Sequence, residues 1–418
     1  MADTAIVGAG ASGMLAAALL RRAGVACDLY EKMDRCGLKL GITGKGRCNL
    51  TNACDPETFF AQIQSGGRFL RSALTRYDSA WVRAFFEERL GVALKVERGE
   101  RVFPVSDRAL DVVGALLRDC DREPCRLRRE AVEAIERTDG GFLLRTAQGE
   151  RRYRRVLVAT GGKSYPQTGS TGDGYRFAAA LGHTIVPPRA SLTGLCSSDG
   201  FCAEMSGLSL KNIGFTLLRD GKKVYEELGE ALFTHFGLSG PLALTASAIL
   251  AHGEWAQAEV LLDWKPGLSP EKLDARLLRE FADGPNKALA NAVRSLLPAS
   301  AVGPVLAAAG VDGGKAVHDV IREERRRLCE ILKRFPISVS GLRPIEEAVV
   351  TAGGVSLKEV SPKTMESKLC PGLYFAGEVL DVDALTGGFN LQIAFSTAAA
   401  AAEAIAGEED GYVDSGCH

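Results

Sequence analysis

Three stretches of this chain combine residue types and spacings that can do chemistry. The first is Gly8-Ala9-Gly10-Ala11-Ser12-Gly13. Between a strand and a helix, glycines at this spacing permit a tight turn at Gly8. They also open the backbone to a pyrophosphate at Gly10 and let the helix pack closely at Gly13. The helix that follows, with Ala11 and Ser12 leading into it, then offers free N–H groups and a partial positive charge to the phosphates. Glu31 closes the next strand, about twenty residues on, where a carboxylate can accept ribose hydroxyls. The reading is a dinucleotide site.

The second stretch runs from Leu38 to Asn49, LKLGITGKGRCN. It looks superficially like a Walker-type phosphate loop. The spacing is wrong, because Lys39 stands where the first glycine belongs and Lys45 is followed by Gly46 rather than Ser or Thr. An NTPase is therefore excluded. What remains is glycine backbone, cations, and hydroxyl and amide groups, placed directly after Glu31 to wrap a diphosphate and the chain beyond it.

The third stretch lies near the far end. Ala376-Gly377-Glu378 closes a strand, Asp381 follows, and Gly387-Gly388 opens another helix. A second helix N-terminus can serve the other end of a long cofactor. Its dipole would favour negative charge on the N1/O2 side of a reduced isoalloxazine, a need that FAD has and NAD lacks.

His235 is the acid/base candidate, in the turn-rich stretch FTHFGLSGP, because imidazole titrates near neutrality. A histidine between two phenylalanines is also a common structural residue, and that alternative stays open. Cys36 and Cys48 lie too far apart in sequence for the usual redox pair, so Cys48 reads as a packed or cofactor-lining thiol. The eleven cysteines contain no C-x-x-C pair and no zinc-like spacing. They are expected to be free thiols in a reducing cytoplasm, and no metal site is expected.

These residues need a βαβ unit to position them. Thr4 to Val7 reads as a strand, Met14 to Arg22 as a helix ended by Gly24, and Val25 to Tyr30 as a second strand. Val156 to Ala159 is a buried-strand run closed by Thr160-Gly161-Gly162. Arg68 to Leu90 is helical, with Trp81, Phe85 and Phe86 as its buried stripe. Ser106 is expected to cap a helix running to about Cys120. Leu192 to Asp263 is strand-like, with a hairpin signal at Arg219-Asp220-Gly221-Lys222, and Ser269-Pro270 starts a helical stretch. The α/β texture returns after Pro336, and the last helix is expected to end near Gly407, before an acidic tail that frays.

The expected fold is α/β, a Rossmann-like domain split in sequence: 1–190 and 335–418 form the cofactor domain, 191–267 a β-rich insertion and 268–334 a helical insertion. At 418 residues the chain is too long for one ordinary core. Its net charge of −1 gives no global pull toward nucleic acid or anionic lipid, so neither an RNA partner nor a membrane is expected. Two basic clusters, Arg126–Arg129 and Arg151–Arg155, read as exposed strand faces, and Arg325-Arg326-Arg327 as a solvated helix face. No basic n-region precedes an apolar run at the start, so no signal peptide is expected and the location reads as cytoplasmic.

Together these motifs resemble the bacterial FAD-dependent flavoproteins described as aminoacetone-oxidase-like or bile-acid-reductase-like. The matching stretches are Gly8–Gly13, Gly44–Asn52, Val102–Arg108, Ala159–Tyr175, Phe233–Pro241 and Gly372–Phe395. One departure is Lys45, where that family usually has a third glycine before Arg-Cys-Asn. The resemblance implies a tightly held FAD. It implies Lys32, Lys39, Thr43, Arg47, Cys48 and Asn49 around the diphosphate and ribityl, with Val132 near adenine. Thr160 and Gly161 would lie by the pyrophosphate, and Gly377, Glu378, Asp381, Gly388, Asn390 and Leu391 by the ribityl and flavin ring.

The expected function is an FAD-dependent oxidoreductase passing hydride through flavin N5. No second dinucleotide fingerprint is present, so NADH or NADPH would bind transiently as donor. The leading substrate is a small molecule with an activated C=C, such as an enone of a steroid-like acid. The alternative is oxidation of a small amine or amino ketone such as aminoacetone. A flavin-dependent RNA modifier is a more distant alternative.

Overall fold

The computed structural model describes residues 2–413; residues 414–418, with Cys417, lie outside the described residues. The chain separates into two compact units, Met1–Ser191 with Ile345–His418, and Leu192–Pro344.

The first unit is built on five parallel strands: β1 (Thr4–Val7), β2 (Cys27–Tyr30), β3 (Cys125–Arg128), β4 (Arg155–Val158) and β5 (Leu373–Phe375). Their order across the sheet is β5-β4-β1-β2-β3. Every residue of β1, β2 and β4 is buried, as expected of parallel strands covered on both faces. Helix α1 (Ala11–Arg22) follows β1, α2 (Leu38–Gly46) follows β2, and the long α3 (Phe389–Val413) follows β5. The α3 backbone thus runs past the Gly407 end expected from sequence. The α1 and α3 faces merge with the sheet into one apolar core that includes Met14, Leu15, Ile393 and Phe395. Among the described residues no helix is long and apolar enough to cross a membrane.

Several local expectations change. The Arg68–Leu90 helix is three pieces, Gly67–Arg76, Ser79–Ala84 and Phe85–Arg89. The break is at Asp78, whose carboxylate accepts from Trp81 N–H and starts a new helix. Ser106 does not cap the next helix, which runs Ala109–Cys120 with Arg108 at the cap position. Cys27 and Cys125 are not free thiols: they are register partners on β2 and β3, Cα atoms 4.7 Å apart, and form a disulfide.

The second unit is a seven-stranded antiparallel sheet whose inner face packs on helices. Its long hairpin pairs Ser209–Arg219 with Lys222–Thr234 around Asp220-Gly221. Pro270–Ala282 is capped by Ser269, whose hydroxyl accepts from Lys272 N–H. The strand Phe335–Val339 pairs with Ala258–Asp263 in this sheet. The return to the first unit therefore comes after Pro344 rather than at 335, and the helices of 268–334 share the sheet's core instead of standing apart.

Candidate cofactor and active site

The glycine turn has the geometry its spacing requires. Gly8 has φ +106°, and a Cβ there would lie 2.6 Å from Ala159 O, on the loop after β4. A Cβ on Gly13 would fall 1.8 Å from Gly8 O, so α1 packs against the turn as only glycine allows. Gly10 differs: a Cβ there meets nothing within 4 Å. The first helical bond of α1 runs from Met14 N–H to Gly10 O. The N–H groups of Ala11, Ser12 and Gly13 thus stand ahead of the ladder, beside open space where a phosphate fits.

Glu31 lies on one side of this turn. Its two carboxylate oxygens accept from Ala9 N–H at 3.0 Å and Met33 N–H at 2.9 Å. Burial pushes its carboxyl above the usual range, against those two hydrogen bonds. Each oxygen keeps a second lone pair for a ribose hydroxyl. Below Glu31 lies a network that sequence reasoning missed. Tyr153 O–H donates to Asp28 at 2.5 Å, Tyr30 and Tyr153 hydroxyls meet at 2.7 Å, and Arg128 pairs with Asp28 at 2.7 Å. Arg151 pairs with Glu130 at 2.7 Å. The available signal was Asp28, a carboxylate inside a strand that is otherwise apolar. Arg128 and Arg151 are therefore internal partners, not parts of an exposed basic face. In the second unit Arg325 and Arg326 are likewise paired, with Asp274 and with Glu323 and Glu330.

The far end of the sequence reaches the same place. A Cβ on Gly377 would sit 2.3 Å from Ser12 Oγ, and the Gly377 N–H donates to Thr397 Oγ1 on α3 at 3.0 Å. Glu378 follows in the turn Gly377–Val379. It pairs with Lys39 of α2 at 2.6 Å and accepts from Thr351 N–H at 2.8 Å and Ser164 O–H at 3.1 Å. Lys39 also donates to Ser164 at 2.6 Å. One ion pair thus ties together the loops after β2, β4 and β5. Ser164 and Thr351 had no sequence signal, because their partners lie 27 to 214 residues away.

Within α2 the helix breaks at Thr43, Gly44 and Lys45, the last two with φ 56° and 58°. Thr43 O–H donates to Leu40 O at 2.6 Å. Cys48 is fully buried, and burial pushes its thiol up to about 12, so it stays neutral. The Asn49 side-chain oxygen is buried without a hydrogen-bond partner, an acceptor that a bound cofactor can satisfy. Arg47 stands differently from its expected role. Its guanidinium stacks over Phe103 at 4.2 Å and is held by Asp107 at 2.8 Å and by Glu97. It braces the loop with its charge already matched.

At the start of α3 the first helical bond runs from Gln392 N–H to Gly388 O. The N–H groups of Phe389, Asn390 and Leu391 stand ahead of it. Gly388 lies so close to Thr51 O that a Cβ would be 2.4 Å away. Asn390 spends its side chain on the turn itself, at Ala384 N–H and O and Leu385 O. Asp381 offers its carbonyl to Ser65 O–H. Lys32 is tied to Thr171 and Asp173, each at 2.6 Å. Thr160 follows β4 against the glycine turn, Gly161 next to it faces Ser170, and Val132 begins the strand Val132–Thr138. His235 is exposed in the second unit, in the turn between Thr234 and Gly237, edge-on to Phe236 with centroids 5.1 Å apart.

A glycine turn with open space at Gly10, a buried carboxylate beside it, an unsatisfied buried acceptor and a second helix N-terminus suit FAD. They define an FAD-dependent oxidoreductase with a Rossmann-type cofactor domain. Comparison with known proteins agrees: residues 2–404 match the model described as HI0933-like protein Rossmann domain, and the chain belongs to that family. It is 32% identical over 412 residues to a ribosomal RNA dihydrouridine synthase of Haemophilus influenzae, covering 96% of this chain and 98% of that protein. It is 30% identical over 409 residues to a 3-dehydro-bile acid delta(4,6)-reductase of Clostridium scindens, covering 96% and 98%. Among solved structures it matches a 3-ketosteroid-delta4-(5alpha)-dehydrogenase of Rhodococcus jostii with TM-score 0.50 and 14% identity, covering 97% and 96%. That likeness is one of fold.

Proposed function

We propose that this protein reduces a carbon–carbon double bond conjugated to a carbonyl group, with NADH or NADPH as transient donor. One observation carries the reading. The two kinds of relative named above have unlike substrates, yet both names describe loss of a C=C conjugated to a carbonyl: uracil C5=C6 in the one, the dienone of a 3-oxo bile acid in the other. The oxidation of an amine or of aminoacetone has no comparable support among these relatives.

Bound in the cradle, FAD supplies a hydride equivalent at N5. The chain's own residues have separable tasks. Gly10 and the N-terminus of α1 hold the diphosphate, and Glu31 holds the ribose. The Lys39–Glu378–Ser164 node fixes the three loops around the ribityl. The N–H groups at the start of α3 favour negative charge at the pyrimidine edge of the ring. Neutral Cys48 packs without offering a thiolate that could compete for the substrate. His235, an exposed imidazole, remains the proposed proton donor.

Anaerobic mixing tests this. NADH or NADPH should bleach the flavin, and a 3-oxo-4,6-diene bile acid or a uridine-containing RNA should restore its colour. No bleaching by either nucleotide, or recovery only in oxygen after bleaching by aminoacetone, would contradict it.

A further inference from the structure

We infer that Lys45, Arg98 and Arg101 form a cationic rim at the flavin end of the cofactor groove that takes phosphodiester groups of an RNA substrate. This rests on the conjugate-reduction reading and names the substrate class for that site.

The position of the rim follows from Asn52. Its side-chain amide donates to Gly99 O and to Gly387 O, both at 3.0 Å. Ala53 N–H also donates to Glu100 O at 2.7 Å. The turn carrying Arg98 and Arg101 is thereby pinned one side chain away from the glycines that open α3. Lys45 joins it from α2. Gly44 packs on Phe103, where a Cβ would lie 3.3 Å from the ring. Arg47 and Arg101 lie over that same ring at 4.2 and 5.7 Å.

The charges divide by availability. Glu97 and Asp107 are consumed by Arg47 and Lys95. Lys45, Arg98 and Arg101 are exposed. Lys45 and Arg98 have no side-chain partner among the described residues, and Arg101 donates only to a backbone carbonyl, Arg98 O, at 3.0 Å. Glu100, also exposed, offsets one charge. Lys45 also holds φ 58°, a conformation that costs a non-glycine residue about 1–2 kcal/mol. A lysine kept there, between two clamped ends of one loop, projects its flexible side chain from a fixed backbone position. The chain as a whole carries −1, so the rim is a local feature and not a reflection of bulk charge. A bile acid offers one carboxylate to such a rim, whereas RNA offers a row of phosphates spaced to meet several cations.

The probe is a fluorescein-labelled, uridine-containing RNA hairpin bound to the FAD-loaded protein, followed by anisotropy across a KCl series. K45G relieves the left-handed strain and R98A/R101A alters exposed groups, so folding is retained. R122A, in the turn before β3 at the opposite end of the strands, is the control. Each lost contact should lower the slope of log K against log[salt] by about 0.7–0.9. The triple variant should therefore lose about 2 in slope and bind RNA roughly tenfold or more weakly, with FAD affinity and flavin spectrum unchanged and R122A like wild type. A slope equal to wild type in the triple variant would overturn the rim, as would a loss of FAD affinity in K45G, which would make Lys45 a cofactor ligand. Wild-type protein that shows no salt-dependent RNA binding while turning over the dienone would overturn the RNA assignment and leave conjugate reduction standing.

Discussion

The parallel-sheet unit and the inserted unit hold together in different ways. In the first, backbone approaches backbone: Gly8, Gly13 and Gly388 all sit where a Cβ would meet a backbone oxygen within 2.6 Å, and at Gly377 it would meet Ser12 Oγ at 2.3 Å. Its loops are joined by long-range ion pairs such as Lys39–Glu378. In the second, Phe215, Phe233, Trp264 and Phe335 pack between a sheet and helices, and the helices carry ordinary caps and surface ion pairs. The lesson is that such approaches and the loop clamping cluster around the glycine turn and the start of α3, whereas the insertion has one backbone approach of this closeness among the described glycines, at Gly237 beside Leu195 O. The insertion is an ordinary core that tolerates change.

The sharpest way to break this contrast is Gly13→Ala. The Cβ has no room, so the first unit should lose about 3–5 kcal/mol or fail to fold, and emerge without flavin. Normal thermal unfolding with full FAD content would refute the packing. Gly10→Ala separates gripping from packing. With open space around it, the apo protein should unfold at the wild-type temperature, while FAD titration shows at least about tenfold weaker binding, about 1.4 kcal/mol. Next is the clamp. Lys39→Met should leave Glu378 with one fewer donor, cost about 1–3 kcal/mol and speed FAD release. Adding Glu378→Gln should cost less than the sum of the two, as a double-mutant cycle would show.

Two smaller effects sharpen the comparison. His183 has a fully buried side chain against Ser367 at 2.8 Å and Glu359 at 3.3 Å. Burial holds its pKa below the usual value, although Glu359 pulls the other way. The folded state therefore binds fewer protons than the unfolded one. Its contribution is present above about pH 6.5 and is lost as pH falls through the depressed value. The unfolding midpoint of the wild type should drop over that interval, and His183→Gln should flatten the drop. Ser269→Ala should cost about 1 kcal/mol through its lost cap and leave FAD content unchanged. A loss of flavin in that variant would mean the two units are not as separable as described.

Much of the first unit could be read from the chain because its signals are local. The glycine turn, Glu31 and the Gly387-Gly388 helix start each declare themselves within a few residues. The partners that complete the site are not local. Glu378 meets Lys39 and Ser164 only after the strands have been ordered, and Arg47 finds Asp107 only once the strand pair Leu94–Glu97 and Arg101–Pro104 has formed. The Cys27–Cys125 pairing depends on the register of β2 against β3, which no spacing of cysteines reveals. The boundary at 335 was misplaced for a similar reason. Phe335–Val339 alternates buried and open positions like any half-covered strand, and only its partner Ala258–Asp263 tells which sheet it joins.

The central claim is that the first glycine turn and the start of the last helix grip one FAD. Purified wild-type and Gly10→Ala protein, stripped of flavin and titrated with FAD by fluorescence quenching, test it most directly. Binding of one FAD per wild-type chain, weakened at least about tenfold in an equally stable Gly10→Ala variant, is the expected result. Wild-type protein that stays colourless with FAD in excess, or a Gly10→Ala protein that binds it as tightly, would contradict it.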